Sequence, residues 1–235
     1  MSSRPWAMSM RWCDLLFAHW RADADILRRW LPAGLELDLF EGHAYVGVVP
    51  FRMEGVAPRG LPEIPGLHAF PELNLRTYVT VGGKPGVWFF SLDAGQKLAV
   101  RVARGLFHLP YFDARMVVEQ VGDRVGFSSV RANRSAAFKS TYRAVGPTYR
   151  SKPGTLESWL TERYCLYAAD RAGLIYRGNI AHEPWPLQGA EAEISVNTLG
   201  DQWGIAMEGV PEMLHFVREL TVRAWLLERV PLVNQ

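Results

Sequence analysis

The stretch "ELNLRTYV", residues 72–79, decides how this sequence is read. In an extended chain, alternate side chains point to opposite faces. One face of this stretch carries leucines, threonine and valine, whereas the other carries Glu72, Asn74, Arg76 and Tyr78. The polar face either lies in water on a half-exposed sheet or points into a cavity enclosed by a sheet that curls on itself. The function that can be predicted depends on which of these holds.

Length and composition predict a folded protein with a sizeable core. The chain has 235 residues, 49% of them hydrophobic, and a net charge of +2. No apolar run approaches the roughly 20 residues that span a bilayer, and the first residues lack the apolar segment of a signal peptide. Cys13 and Cys165 show no close spacing. We therefore expect a cytoplasmic protein that does not enter membranes, folded as a single domain over residues 1–235 because no repeat or linker divides it.

Turn signals divide the chain into antiparallel hairpins. Hairpins are predicted for "LELDLF" with "AYVGVVPFRM", "ELNLRTYVTV" with "VWFFSL", "RMVVEQV" with "RVGFSSVRA", and "YCLYAA" with "LIYRGNIAHE". Short helices are expected after Asp23, Asp93 and Thr155. The segment "LHFVRELTVRAWLL" alternates as a strand does, with a helix as the alternative. The pattern is typical of a mainly antiparallel α+β fold whose sheet curls or closes, with a few short helices.

Three passages resemble the acetoacetate decarboxylase-like superfamily in their order and spacing. They are "HWRADADILRRWLPAGLELD", "FPELNLRTYV" and "FFSLDAGQKLAVRVARGLFHLPY". The likeness covers roughly residues 10 to 230, and the chain is most similar to an uncharacterised bacterial domain-of-unknown-function branch. The resemblance implies a cone or partly closed barrel around a cavity, and it leaves a homo-oligomer open.

The resemblance does not extend to the catalytic lysines. In the decarboxylases, two adjacent lysines follow the proline of the last passage, and one of them forms a Schiff base with a β-keto acid. Tyr111 and Phe112 follow Pro110 here, and neither can form an imine. Of the four lysines (Lys84, Lys97, Lys139 and Lys152), none lies at that position. We expect them to be solvated, with a Lys97 that faces the cavity, or a Lys139 whose pKa is lowered by Arg143 on the same face, as the less favoured alternatives. Schiff-base decarboxylation is therefore not expected, because a fold does not by itself imply an activity.

Other family groups carry over in part. The arginine of the first strand falls at or near Cys13, with Arg11 two residues earlier on the same face as a substitute. One glutamate carries over as Glu72, and a second falls among the apolar residues of "YVGVVPF" and is missing. If Glu72 and Arg76 face a cavity, we expect them to be paired, with each other or with neighbours, because an unpaired buried charge costs several kcal/mol.

Two functions follow from this interpretation. The first is a binding protein for a small, largely apolar carbonyl- or carboxylate-bearing molecule. The alternative is a lyase- or isomerase-type enzyme with Glu72 as general acid/base on an enolisable carbonyl compound. The candidate ligand-binding residues are Arg11, Asn74, Arg76, Tyr78, His108 and Tyr111.

Other classes of site are disfavoured. The six histidines are scattered, so we expect no metal site, and no phosphate-binding loop indicates a cofactor. The basic segment "RANRSAAFKSTYRAVGPTYRSK" spans a turn in a nearly neutral chain, so no nucleic-acid partner is expected. The proline-rich segment before Glu72, residues 55–70, is predicted to cover the cavity mouth as a lid or to pack on a neighbouring subunit.

Overall fold

The computed structural model describes residues 4–64, 69–96 and 108–231. Within these ranges, thirteen strands form one sheet. The strands are β1 Met8–Ala22, β2 Glu36–Leu37, β3 Ala44–Pro58, β4 Ala69–Val81, β5 Lys84–Ala94, β6 Tyr111–Val121, β7 Arg124–Arg131, β8 Ala137–Tyr149, β9 Cys165–Ala169, β10 Ile175–Ala181, β11 Leu187–Asn197, β12 Met213–Ala224 and β13 Glu228–Arg229. The helices are α1 Ala24–Arg29 and α2 Leu156–Thr161, with a 3-10 turn at Asp201–Trp203.

The sheet curves into a partly closed ring. Its strand order is β13-β10-β9-β5-β6-β7-β8-β11-β12-β1-β3-β4-β2, and an additional pairing joins β4 to β5. Most neighbours are antiparallel, while β5 runs parallel to β6 and β9. The predicted fold class, mainly antiparallel with a few short helices, is confirmed.

Local signals located most elements correctly. The hairpins β4–β5, β6–β7 and β9–β10 are all present, and the segment predicted as strand or helix is strand β12. Asp23 caps α1 by accepting hydrogen bonds from the amides of Asp25 and Ile26 at 2.8 and 3.2 Å, and Thr155 caps α2. Strand β11 was not predicted, although its alternation of alanine or isoleucine with glutamate is a strand signal.

The first predicted hairpin is wrong. Strand β2 pairs with β4, through Glu36 opposite Thr80, and not with β3. Strand β3 begins at Ala44 and has β1 on one edge and β4 on the other. At the start of β3 its pairing with β4 reaches only Thr77, so β2 takes the same edge of β4 beyond that point.

Asp93 does not cap a helix, as the sequence suggested. It lies near the end of β5, and its carboxylate accepts hydrogen bonds at 3.0 and 2.9 Å from Nε of Arg131. The helix predicted after it falls mainly on residues 97–107, outside the described residues, as does Lys97.

Strand β4 is buried on both faces. Leu73 and Leu75 belong to an apolar core with Phe90 and Val46. The opposite face carries the polar residues and looks into a cavity inside the ring. The half-exposed sheet that was the alternative for this strand is therefore excluded.

Candidate functional site

An internal cavity of about 220 Å³ lies against the polar face of β4. Its walls come mainly from apolar side chains of β1, β3 and β5. The polar or charged lining residues are Glu72, Asn74, Arg76, Tyr111, Thr161 and Arg163. A mostly apolar cavity with a few placed polar groups is the usual form of a small-molecule site.

A bulge in β1 helps to build the apolar wall. Asp14 has φ of 50°, and between Cys13 and Ala18 the strand has one residue more than its partner β3. Such a bulge changes which face the following side chains take. Trp12 before it and Leu15 after it consequently both line the cavity.

Register arranges the polar residues of β4 along the cavity. Glu72 lies opposite Phe51 of β3, whereas Arg76 lies opposite Gly47. Asn74 is midway between them. At about 3.3 Å per residue, the Cα atoms of Glu72 and Arg76 are about 13 Å apart. The cavity therefore has a carboxyl group and a guanidinium at two separate levels.

Glu72 is a buried acid, 3% exposed. Its Oε2 accepts a hydrogen bond of 3.0 Å from the Tyr111 hydroxyl. Burial raises the pKa of Glu72 to about 7, against the opposing hydrogen bonds of Tyr111 and Asn74, and the charge of Asp93 adds to the rise. Near neutral pH this carboxyl group can therefore donate or accept a proton.

Arg76 is a buried cation, 8% exposed. One Nη donates to the carbonyl of Leu160 at 3.2 Å and to the Tyr78 hydroxyl at 3.5 Å. Its guanidinium carbon lies 5.1 Å from the centre of the Phe17 ring. Its Nε has no hydrogen-bond partner in the described part of the chain.

Glu72 and Arg76 do not pair with each other, which was one of the two expected arrangements, and each contacts neighbouring groups. Within the described ranges Arg76 forms no ion pair, and Glu72 is hydrogen-bonded to Tyr111 instead. The two side chains start about 13 Å apart, and Arg76 extends toward Tyr78, away from Glu72.

Tyr78 lies behind the cavity wall instead of lining it. It is fully buried, and its hydroxyl is 2.7 Å from Nε2 of His19. Burial, followed by the charges of Arg76 and His215, lowers the pKa of His19 well below its usual value. His19 is therefore neutral, and Tyr78 positions Arg76.

Two predicted ligand residues lie away from the cavity. Arg11 points outward, because its neighbours Met10 and Trp12 face inward, and it pairs with Glu54 at 3.1 Å. Its side chain is 45% exposed. His108 is exposed and contacts the ring of Tyr176 at 5.0 Å.

Arg163 lines the cavity and was missed by the sequence analysis. It follows α2 and is 5% exposed. It donates to Oδ2 of Asp38 and to the carbonyl of Trp159, both at 2.6 Å, while one Nη has no partner among the described residues. Nothing in its local sequence distinguishes it from a surface arginine.

Tyr111 and Phe112, which stand at the positions of the lysine pair, point to opposite faces of β6. Tyr111 lines the cavity, and burial raises the pKa of its hydroxyl well above the usual value. Phe112 packs on Arg131, whose guanidinium carbon is 4.1 Å from the ring centre. In the described part of the chain no lysine lines the cavity.

Two further features bear on the kind of site. No group of three or more histidine, cysteine, aspartate or glutamate side chains in the described ranges is arranged to hold a metal ion. Across the same residues, every helix is too short or too polar to cross a membrane.

Known solved structures with this fold include enzymes. The enduracididine biosynthesis enzyme MppR in complex with pyruvate superposes with a TM-score of 0.66 at 14% identity, covering 100% of this chain and 93% of that chain. An acetoacetate decarboxylase-like enzyme from Sphingomonas wittichii RW1 superposes with a TM-score of 0.67 at 15% identity, covering 98% and 95%. At these identities the likeness concerns the fold alone, and the fold is that of the acetoacetate decarboxylase-like proteins.

Sequence comparison identifies the family. The uncharacterized protein YqjF of Bacillus subtilis (strain 168) is 48% identical over 225 residues, which cover 95% of this chain and 93% of that protein. The family DUF2071, described as an uncharacterized conserved protein, matches residues 9–221. This chain therefore belongs to the DUF2071 family, a family of unknown function with an acetoacetate decarboxylase-like fold.

Proposed function

We propose that this protein binds a small, largely apolar molecule with a carboxylate or carbonyl group in its cavity, without Schiff-base chemistry. The observation that carries the proposal is the state of Arg76. This guanidinium lines an apolar cavity and has no carboxylate partner among the described residues. A buried charge without a partner is costly, and a ligand carboxylate can supply one through charge-assisted hydrogen bonds.

A comparison of matched ligands tests this proposal. Hexanoate, hexanamide and hexanol share an apolar chain and differ in the head group. We expect hexanoate to raise the melting temperature most, because a ligand that binds only the folded state stabilises it. Arg76→Met should abolish that preference for the carboxylate. Arg177→Met is the matched control, since Arg177 pairs with Glu228 and does not line the cavity. Equal shifts for all three compounds, or an Arg76→Met protein that keeps the preference, would contradict the proposal.

The absence of Schiff-base chemistry is a separate part of the proposal. The described lysines support this part, because none of them lines the cavity. Nζ of Lys84 donates a hydrogen bond to Oδ1 of Asn179 at 2.8 Å, and Lys139 and Lys152 are exposed. Incubation with acetoacetate and borohydride should leave the intact mass unchanged. A covalent adduct on any lysine would show that imine chemistry occurs after all.

A second function is favoured by the state of Glu72. A carboxyl group with a pKa of about 7 is suited to proton transfer at neutral pH, and Glu72 faces an apolar cavity beside the Tyr111 hydroxyl. The protein would then act on an enolisable carbonyl compound. Deuterium exchange at the carbon next to the carbonyl, followed by NMR, is the test. Exchange that is lost in Glu72→Gln would support the enzymatic function. A compound that binds without exchange would support the binding function alone.

A further inference from the structure

We infer that the ligand is an extended monocarboxylate that enters carboxylate first, with its apolar tail lying along the cavity toward Met8. This inference rests on the proposed function and specifies the ligand class and its orientation. It is carried by three properties of the cavity: the charge at one end, the exposure at the other, and the distance between them.

The end around Arg76 is closed and has one unbalanced positive charge. Phe17, Tyr78 and Leu160 surround the guanidinium and are fully buried. The second arginine of this end, Arg163, already has a carboxylate partner. Arg76 has none in the described part of the chain, so a ligand with one negative charge would balance it. A monocarboxylate supplies it, whereas a dicarboxylate would add a buried charge without a partner.

The other end is apolar and partly open to solvent. Four of the seven half-buried lining residues gather there, namely Met8, Ile64, Ile180 and Ala224. Ala224 pairs with both Met8 and Ile180, so these side chains are neighbours on adjoining strands. Met10 and Met53 extend the same wall. Methionine side chains are flexible and apolar, so they adapt to ligands of varied shape. This end of the cavity is therefore better suited to the apolar tail of a ligand than to its carboxylate.

The strand itself sets the length scale. Arg76 and Glu72 are separated by about 13 Å along β4. A saturated chain with bonds of about 1.5 Å at tetrahedral angles advances by about 1.25 Å per bond. A tail bound by its carboxylate at Arg76 therefore needs about ten bonds to reach the level of Glu72 and Tyr111. The apolar wall continues beyond that level, to Phe70 and Met53.

A chain-length series tests the inference by calorimetry. Straight-chain acids from butyrate to dodecanoate are titrated into the wild-type protein. We expect affinity to rise roughly three- to fourfold for each added methylene up to about ten carbons, because each one removes apolar surface from water. The increase should be smaller once the tail leaves the cavity.

A rim variant then tests the orientation. Met8→Trp enlarges a half-buried side chain at the open end, where the risk to folding is small. It should weaken dodecanoate at least tenfold and leave butyrate unchanged. Phe89→Trp is the contrasting variant, because Phe89 lies opposite Arg76 at the closed end, and it should weaken acids of every length. Denaturant melts of both variants check that they fold.

The outcomes separate this inference from the proposed function. Affinity that does not change with chain length, or a Met8→Trp effect as large for butyrate as for dodecanoate, overturns the inference alone. Arg76→Met then still removes the preference for carboxylates. Affinity that grows with chain length but is insensitive to Arg76→Met overturns both.

Discussion

Glu72 and Arg76 line the same cavity from one strand, and each hydrogen-bonds to a different partner. Glu72 accepts a hydrogen bond from Tyr111, whereas Arg76 donates to the carbonyl of Leu160. Opposite charges on one face of a strand suggest an ion pair, but four residues of extended chain keep these two apart. The cavity consequently has two chemically distinct levels: a carboxyl group that titrates near neutral pH and a guanidinium without a counter-charge in the described residues.

The first prediction concerns the pH dependence of stability. The pKa of Glu72 is about 7 in the folded protein and 4.5 without the fold, so the folded state binds more protons between these values. The contribution of Glu72 to the free energy of unfolding should therefore be fully present below pH 4.5. It should be lost as the pH rises through about 7, which lowers the free energy of unfolding by on the order of 3 kcal/mol. Urea melts of wild type and Glu72→Gln at pH 5 and pH 8 measure the effect.

The amide of Glu72→Gln is neutral at both pH values and can still accept the Tyr111 hydrogen bond. The free energy of unfolding of this variant should change less between pH 5 and pH 8, and at pH 8 it should exceed that of the wild type. Parallel pH dependences in the two proteins would show that Glu72 does not titrate in this range.

The second prediction compares two buried arginines. Arg131 pairs with Asp93, and their side chains are 0% and 1% exposed. Arg131→Met leaves that carboxylate buried without its partner and should cost about 3–5 kcal/mol. Arg76→Met removes a charge with no ion pair among the described residues and should change the free energy of unfolding by less than about 1 kcal/mol. Denaturant melts of both variants give the comparison, and equal losses would show that Arg76 has a partner.

The third prediction concerns the proton affinity of Glu72. The Tyr111 hydroxyl donates to this carboxylate and lowers its pKa. Tyr111→Phe removes the donor, so the pKa of Glu72 should rise above about 7. The carboxyl carbon of Glu72, followed by NMR across pH, measures the shift. Tyr176→Phe is the control, because Tyr176 donates to Asp170 outside the cavity. An unchanged titration of Glu72 in Tyr111→Phe would show that the Tyr111 hydroxyl does not affect the pKa of this carboxyl group.

The fourth prediction tests a close approach between strands. A Cβ on Gly86 would lie 2.7 Å from Cε2 of Tyr167 and 2.9 Å from the carbonyl of Cys165. Backbone cannot move aside cheaply, so Gly86→Ala should destabilise by about 1–3 kcal/mol. Gly126→Ala is the matched strand control, since its nearest neighbour would be the carbonyl of Glu119 at 3.7 Å. Thermal melts in which both variants behave alike would exclude this packing constraint.

The sequence by itself determined the parts of this protein that depend on near neighbours in the chain. Alternation in "ELNLRTYV" assigned Glu72, Asn74 and Arg76 to one face, and turn residues located three hairpins. Asp23 and Thr155 marked the helix starts. These signals act over a few residues, through side-chain direction, turn geometry and capping, so distant contacts do not change them.

Only the tertiary structure decided which distant groups meet. Arg11 faces outward because the inward face of β1 is taken by Met10 and Trp12, and Arg163 enters the cavity because α2 ends beside it. The pairing of β2 with β4 likewise depends on where β3 begins. The inward face of β1, the groups beside α2 and the free edge of β4 are all set by strands far apart in sequence, and alternation along a single strand carries no information about how those strands are arranged.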